Sequence, residues 1–343
     1  MYSFKNDYSE GAHPNILQAL VETNLVQESG YGEDQFTQKA IELIKSHIGR
    51  QNVDVHLIPG GTQTNLIASS SFLRPHEAVI SADSGHINVH ETGAIEATGH
   101  KVLTVSTKDG KLTPELIQEI LDIHTDEHMV KPKLVYISNS TELGTIYKKD
   151  ELVSLSEFCK ENDLIFYMDG ARIGSALCSK ENDLKLTNLP DLFDAFYIGG
   201  TKNGALIGEA LVICNDTLKS DFRYFIKQKG ALLAKGRLLG IQFVELFKDN
   251  LFFQLAEHAN QMAEKLAEGL KEINVPFLAE SPTNQIFPIF TNEQVAELQK
   301  NYAFEIWEKV DKNRTVIRFV TSWATKEEAV EQLITDVTKL VQK

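Results

Sequence analysis

Hydrophobic and polar positions fall into two alternating rhythms between about residues 53 and 214. Short apolar runs at 53–58, 78–81, 101–105, 134–138, 164–168, 195–198 and 210–214 predict buried strands. Between them, apolar residues recur at helical spacing over 64–72, 87–98, 114–123 and 150–161. Thr113 and Pro114 suit a helix start, with threonine as N-cap and proline at the first helical position. Strands that are apolar along their whole length need cover on both faces. The pattern therefore predicts an α/β domain built on a mostly parallel sheet. Ligands of such sheets bind beyond the carboxyl ends of the strands.

After about residue 222 the rhythm changes. Helices are predicted over 228–246 and 254–271, strands at 275–279, 285–290 and 316–320, and a closing helix from about 326. Fewer strands and longer connections predict a smaller C-terminal α+β domain. The expected division is 1–245, an N-terminal segment plus the large domain, and 246–343, the small domain.

At 343 residues and 42% hydrophobic, the chain can bury cores for two such domains. The formal charge is 34 minus 48, or -14, which argues against nucleic acid or an anionic membrane as partner. Cys159, Cys178 and Cys214 lie far apart in or beside apolar runs, as inert thiols of a reducing compartment do. No signal-like stretch or membrane-span-length apolar run occurs, so the expected location is the cytoplasm. No metal-ligand spacing is present.

Two loops carry the strongest chemical signal. One predicted strand runs into Asp169, Gly170, Ala171 and Arg172, and the next into Gly199, Gly200, Thr201, Lys202, Asn203 and Gly204. A lysine in a glycine-rich loop and an acid at the adjacent strand end are what pyridoxal 5'-phosphate needs. The lysine forms a Schiff base, and the acid keeps the pyridinium nitrogen protonated. Each residue has a plainer reading. Lys202 alone would be a surface charge and Asp169 a helix N-cap, while Arg172 could form a local salt bridge instead of reaching cofactor or carboxylate.

Three further positions support the cofactor reading. Gly60, Gly61, Thr62, Gln63, Thr64 and Asn65 follow a strand and open a helix, an arrangement that binds phosphate through free backbone N–H groups. The lysine of a P-loop is missing. His86 follows another strand and is either structural or able to stack on a pyridine ring. Arg318 interrupts an apolar strand, and either a buried ion pair or a substrate carboxylate would account for it.

Together these motifs resemble the threonine aldolase family of pyridoxal-phosphate enzymes with the aspartate aminotransferase fold, nearly end to end. The matching segments are Tyr31-Gly32-Glu33-Asp34, Gly61-Thr62-Gln63-Thr64-Asn65-Leu66, Asp169-Gly170-Ala171-Arg172, Thr201-Lys202-Asn203-Gly204 and Arg318-Phe319-Val320-Thr321-Ser322-Trp323. The resemblance implies that Lys202 carries the cofactor, Asp169 holds the ring nitrogen, His86 stacks on the ring, and Gly61 and Thr62 bind phosphate. It implies that Arg172 and Arg318 clamp the substrate carboxylate with Asn6, that Tyr31 lines the substrate site, and that Lys235 reaches a neighbouring subunit's phosphate. A homodimer or homotetramer with shared active sites follows.

One departure stands out. Where many members carry a Thr-His pair after the strand at 134–138, this chain reads Asn139-Ser140-Thr141-Glu142-Leu143-Gly144, as in the phenylserine and low-specificity branch. The expected reaction is cleavage of an L-3-hydroxy-α-amino acid to glycine and an aldehyde, with Glu142, His86 or a water between them as base. The rivals are β-elimination or transamination on the same residues, and a non-catalytic pyridoxal-phosphate-binding protein.

Overall fold

A computed structural model describes residues 1–342. Its large sheet contains seven strands: β1 (Asp54–Ile58), β2 (Glu77–Ala82), β3 (Val102–Val105), β4 (Lys131–Ser138), β5 (Ile165–Asp169), β6 (Ala195–Gly199) and β7 (Glu209–Ile213). Their spatial order is β1-β7-β6-β5-β4-β2-β3. All neighbours pair in parallel except β7, which runs against both β1 and β6. The sheet is thus mostly parallel, as the continuous apolar runs predict.

Every residue of β5 and β6 is buried. Alternate side chains enter opposite cores: Ile165 and Tyr167 pack on one face, Phe166 and Met168 on the other. That two-sided burial is why these strands show no polar alternation.

The C-terminal domain has its own core, in which Leu266, Leu270, Ile317, Phe319, Leu333 and Val337 meet Phe4 from the N-terminus. The helix Leu251–Glu272 joins the two parts. Phe252 and Leu255 pack with the large core, whereas Met262 and Leu266 pack with the small one.

Several expected elements differ. The helix expected over 87–98 is a turn of helix at His86–Val89 and a 3-10 turn at Glu96–Thr98. Thr92 and Gly93 between them take left-handed backbone, which no helix accommodates. The helix expected over 228–246 is likewise two, Phe222–Gln228 and Arg237–Phe247, separated by a loop containing left-handed Gly230. The run at 275–279 contributes only a bridge between Phe277 and Pro288. A strand at Glu305–Lys309, missing from the sequence reading, pairs with Arg314–Val320 at the sheet edge.

Candidate active site

Because β1 and β6 are each antiparallel to β7, both run with the parallel strands, and β1, β2, β4, β5 and β6 end on one edge of the sheet. The loops leaving that edge carry Gly61, His86, Glu142, Asp169 and Lys202. Two glycines draw the last two loops together. A Cβ at Gly170 would lie 1.8 Å from the Tyr197 carbonyl oxygen, and one at Gly199 would lie 2.4 Å from that of Ala171. Only glycine permits either approach.

Lys202 lies half-buried in the field of Arg172, Asp7, Glu142 and Asp169. Burial and the Arg172 charge hold its amine below the usual lysine range, against the pull of the carboxylates. A depressed pKa raises the share of neutral, nucleophilic amine. Beneath the loop, buried Glu209 accepts the Gly200 N–H at 3.1 Å and the Thr201 hydroxyl at 2.7 Å. Burial pushes the Glu209 carboxyl up to about 8.

Asp169 is buried and receives four hydrogen bonds. Oδ1 accepts from the Tyr197 hydroxyl at 2.5 Å and the Ala171 N–H at 3.0 Å. Oδ2 accepts from the Tyr136 hydroxyl at 2.7 Å and Asn65 Nδ2 at 2.9 Å. Burial opposes ionisation, but the His86 charge and these donors hold the carboxyl below its ordinary value. His86 donates Nδ1–H to buried Glu91 at 2.8 Å. Its pKa is raised: burial disfavours the cation, and the bond to Glu91 with the charges of Glu142 and Asp169 outweighs that.

The helix Gly61–Phe72 opens without a side-chain cap, and its first internal bond is from Thr64 N–H to the Gly60 carbonyl at 2.9 Å. The N–H groups of Gly61, Thr62 and Gln63 therefore lie outside the helix ladder. A Cβ at Gly61 would sit 3.1 Å from the Tyr197 hydroxyl, so the turn is cut close to the Asp169 cluster.

The two arginines differ. Arg172 gives Nε and Nη2 to Asp7 at 2.7 and 3.0 Å, a buried bidentate pair, leaving Nη1 for other partners. Arg318 lies 5.0 Å over the Trp307 ring and reaches Gln285 Oε1 at 3.3 Å. Its buried Nε has no hydrogen-bond partner, and it forms no ion pair among the described residues. Glu142 is 6% exposed, forms no hydrogen bond or ion pair among the described residues, and lies in the field of His86, Arg172, Lys202 and Arg318.

Three sequence-derived site residues lie elsewhere or do other work. Asn6 uses Oδ1 on Tyr8 N–H at 3.1 Å and the Ser9 hydroxyl at 2.9 Å, shaping the turn that delivers Asp7. Tyr31 lines a separate cavity with Gly32, Thr37 and Arg223, stacked under Lys227 at 4.3 Å. Lys235 is exposed on the loop against which the Tyr31 turn packs. Within one chain, neither Tyr31 nor Lys235 joins Lys202.

Sequence reasoning passed over Asp7, Glu91, Tyr136, Tyr197 and Glu209. No local pattern marks them: Asp7, Tyr136 and Tyr197 act on residues distant in sequence, while Glu91 and Glu209 act on nearer ones at spacings that match no motif. Asn65 stood inside the phosphate motif, but its contact with Asp169 spans 104 positions.

The donor set fits pyridoxal phosphate: an uncapped helix start for the phosphate, an ionised buried acid for the ring nitrogen, and a depressed-pKa lysine for the aldehyde. Residues 7–293 match the β-eliminating lyase family. A low-specificity L-threonine aldolase from a Pseudomonas species is 32% identical, the match covering 97% of this chain and 96% of the relative. The solved structure of a Leishmania major threonine aldolase is 51% identical with a TM-score of 0.98, covering 99% of this chain and all of that one. A Thermus thermophilus aspartate aminotransferase, as a double mutant, is 12% identical with a TM-score of 0.71, covering 99% of this chain and 91% of that one. That likeness concerns the fold alone.

Proposed function

The chain belongs to the β-eliminating lyase family, among its threonine aldolases, and from that premise we propose that it cleaves L-3-hydroxy-α-amino acids to glycine and an aldehyde. L-Threonine, L-allo-threonine and phenylserine are the substrates to test. The observation that carries this reading is the convergence of Lys202, ionised Asp169 and unpaired Arg318 on one electrostatically linked site.

Pyridoxal 5'-phosphate, when bound, supplies the electron sink that Cα–Cβ cleavage requires. Lys202 would hold it covalently, Asp169 would meet its ring nitrogen, His86 its face, and the turn at Gly61 and Thr62 its phosphate. Arg318 binds the substrate carboxylate, with Nη1 of Arg172 as second donor, and so fixes the bond to be broken relative to the ring. Glu142, an acceptor without a competing partner, takes the β-hydroxyl proton as the aldehyde forms. Return of one proton to Cα completes glycine. Glu142 is favoured over His86 as base because Glu91 already fixes the His86 ring.

A homodimer with shared sites completes this reading. Leu17, Val21 and Leu25 recur every four residues and are 45, 72 and 91% exposed. Exposed apolar side chains of this kind suit burial against a second copy.

The test is to incubate full-length protein with the three substrates and measure aldehyde and glycine, with Lys202→Ala alongside. Lys202→Ala should lose cleavage and the borohydride-reducible cofactor bond. Full activity in that variant would refute the assignment, and keto acid in place of aldehyde would favour elimination or transamination.

A further inference from the structure

Glu91 lies five residues after His86, and its side chain is 0% exposed. Oε1 accepts from His86 Nδ1 at 2.8 Å and from Asn65 Nδ2 at 2.8 Å. A carboxylate only accepts, so Nδ1 of His86 carries a proton. Asn65 also donates to Asp169 Oδ2 at 2.9 Å, and its Oδ1 accepts the Tyr167 hydroxyl at 3.0 Å. With both N–H groups and the carbonyl engaged, the amide has a single orientation. Oε2 of Glu91 is buried and has no hydrogen-bond partner among the described residues.

A buried carboxylate with one oxygen unsatisfied is expensive to maintain. Glutamine at this position would make the same two contacts through one oxygen without a buried charge, so a charge here has to act on something. Its nearest cation is His86.

We propose that Glu91 is a positioning residue of the cleavage site, holding His86 in one orientation with Nδ1 protonated and, through Asn65, locking Asp169 into the same frame. The inference rests on the reading that His86 and Asp169 both contact the pyridine ring. One acid then aligns ring-face and ring-edge contacts that come from different strands. The charged and titratable groups facing His86 are Glu91 and His90 on its own loop, Glu142 after β4, Asp169 at the end of β5 and Lys202 after β6. Glu91 alone among the carboxylates is hydrogen-bonded to it. The raised pKa of His86 accords with this arrangement.

The test compares full-length wild type, Glu91→Gln and Glu91→Ala by two readouts: the dissociation constant for pyridoxal phosphate from absorbance titration, and the pH profile of kcat. Glu91→Gln keeps an acceptor and loses the charge. It should hold the cofactor nearly as tightly as wild type, with the His86 limb of the profile moved to lower pH. Glu91→Ala should weaken cofactor binding by roughly tenfold or more, as loss of an outer-shell partner does. Its kcat should fall while KM, set by Arg318, changes little.

If cofactor affinity and the pH profile stay at wild-type values in both variants, the proposal is overturned, even if thermal stability drops. Should Glu91→Ala fail to fold, the profile shift in Glu91→Gln decides alone. Were wild type itself to release no aldehyde, the functional reading would fail, yet the cofactor titrations would still judge Glu91.

Discussion

Asp169 and Arg318 solve opposite problems. Asp169 is an acid deep in a core, kept ionised by four donors and a neighbouring imidazole. Removing one donor should loosen that hold: Tyr197→Phe should cost about 1–2 kcal/mol of stability, checked by denaturant titration. Arg318 is a partly buried base that carries an unsatisfied Nε, an arrangement that makes sense for a residue awaiting an anion. Arg318→Ala should weaken amino acid binding by ~2–5 kcal/mol, read as a rise in KM or substrate Kd. An unchanged KM would remove it from the site. Arg172→Ala should differ in kind, lowering stability as well, because it strands the buried Asp7 carboxylate.

At the scale of elements, the site exists because β5 and β6 approach closely enough for their end loops to share it. Gly170 and Gly199 are the points of contact, and Gly199 N–H donates to the Gly170 carbonyl at 3.0 Å. Gly170→Ala would force the Tyr197 carbonyl away and shift the hydroxyl that holds Asp169. The expected loss is about 1–3 kcal/mol, with weaker cofactor binding. Thermal melting and cofactor titration on the same variant check both effects. A variant as stable as wild type would mean the strands have slack that the geometry denies. The β6–β7 hairpin adds a second constraint, since Glu209 on β7 grips the lysine loop through Gly200 and Thr201.

At the scale of the whole molecule, the N-terminal segment binds the parts to one another. Tyr2 and Ser3 pair with Tyr302 and Ala303, Phe4 enters the small core, Asp7 meets Arg172 and Asn284, and His13 N–H donates to the Gly204 carbonyl at 2.8 Å. A segment of thirteen residues thus touches the small domain, the acid loop and the lysine loop. Asp7→Ala should cost ~3–5 kcal/mol, since it leaves a buried guanidinium unpaired.

Acid should lower the stability of the fold over two pH ranges. Burial pushes His56 down to about 4 from 6.5, so from pH 6.5 downward the unfolded chain gains a proton that the native state refuses, and stability falls until about pH 4. Asp7 and Asp169 are held below 3.8; burial opposes this, and Arg172 for Asp7 and His86 for Asp169 outweigh it. Their stabilisation is present above that value and is lost as pH falls through the folded-state pKa values. A melting temperature flat from pH 7 to 4 would contradict the fall assigned to His56. The proposed sharing of sites between subunits has its own test: mixing inactive Lys202→Ala with Lys235→Ala subunits should restore part of the activity, and none would return if each chain worked alone.

Much of this was legible before any coordinates. Seven apolar runs marked the seven strands of the large sheet, most clearly the inner ones, because a strand covered on both faces needs apolar residues along its length. Asp169, Lys202 and the turn at Gly61 were legible because the ends of parallel strands are where such sheets place their chemistry. The breaks at Thr92 and Gly230 were not, since one left-handed residue leaves the surrounding apolar spacing intact. Tertiary structure alone decided that Arg172 belongs first to Asp7, that Arg318 is left without an ion pair among the described residues, and that Glu91 and Asn65 link His86 to Asp169. Hydrogen bonds between residues a hundred positions apart depend on how strands stack, and a linear pattern carries no record of that.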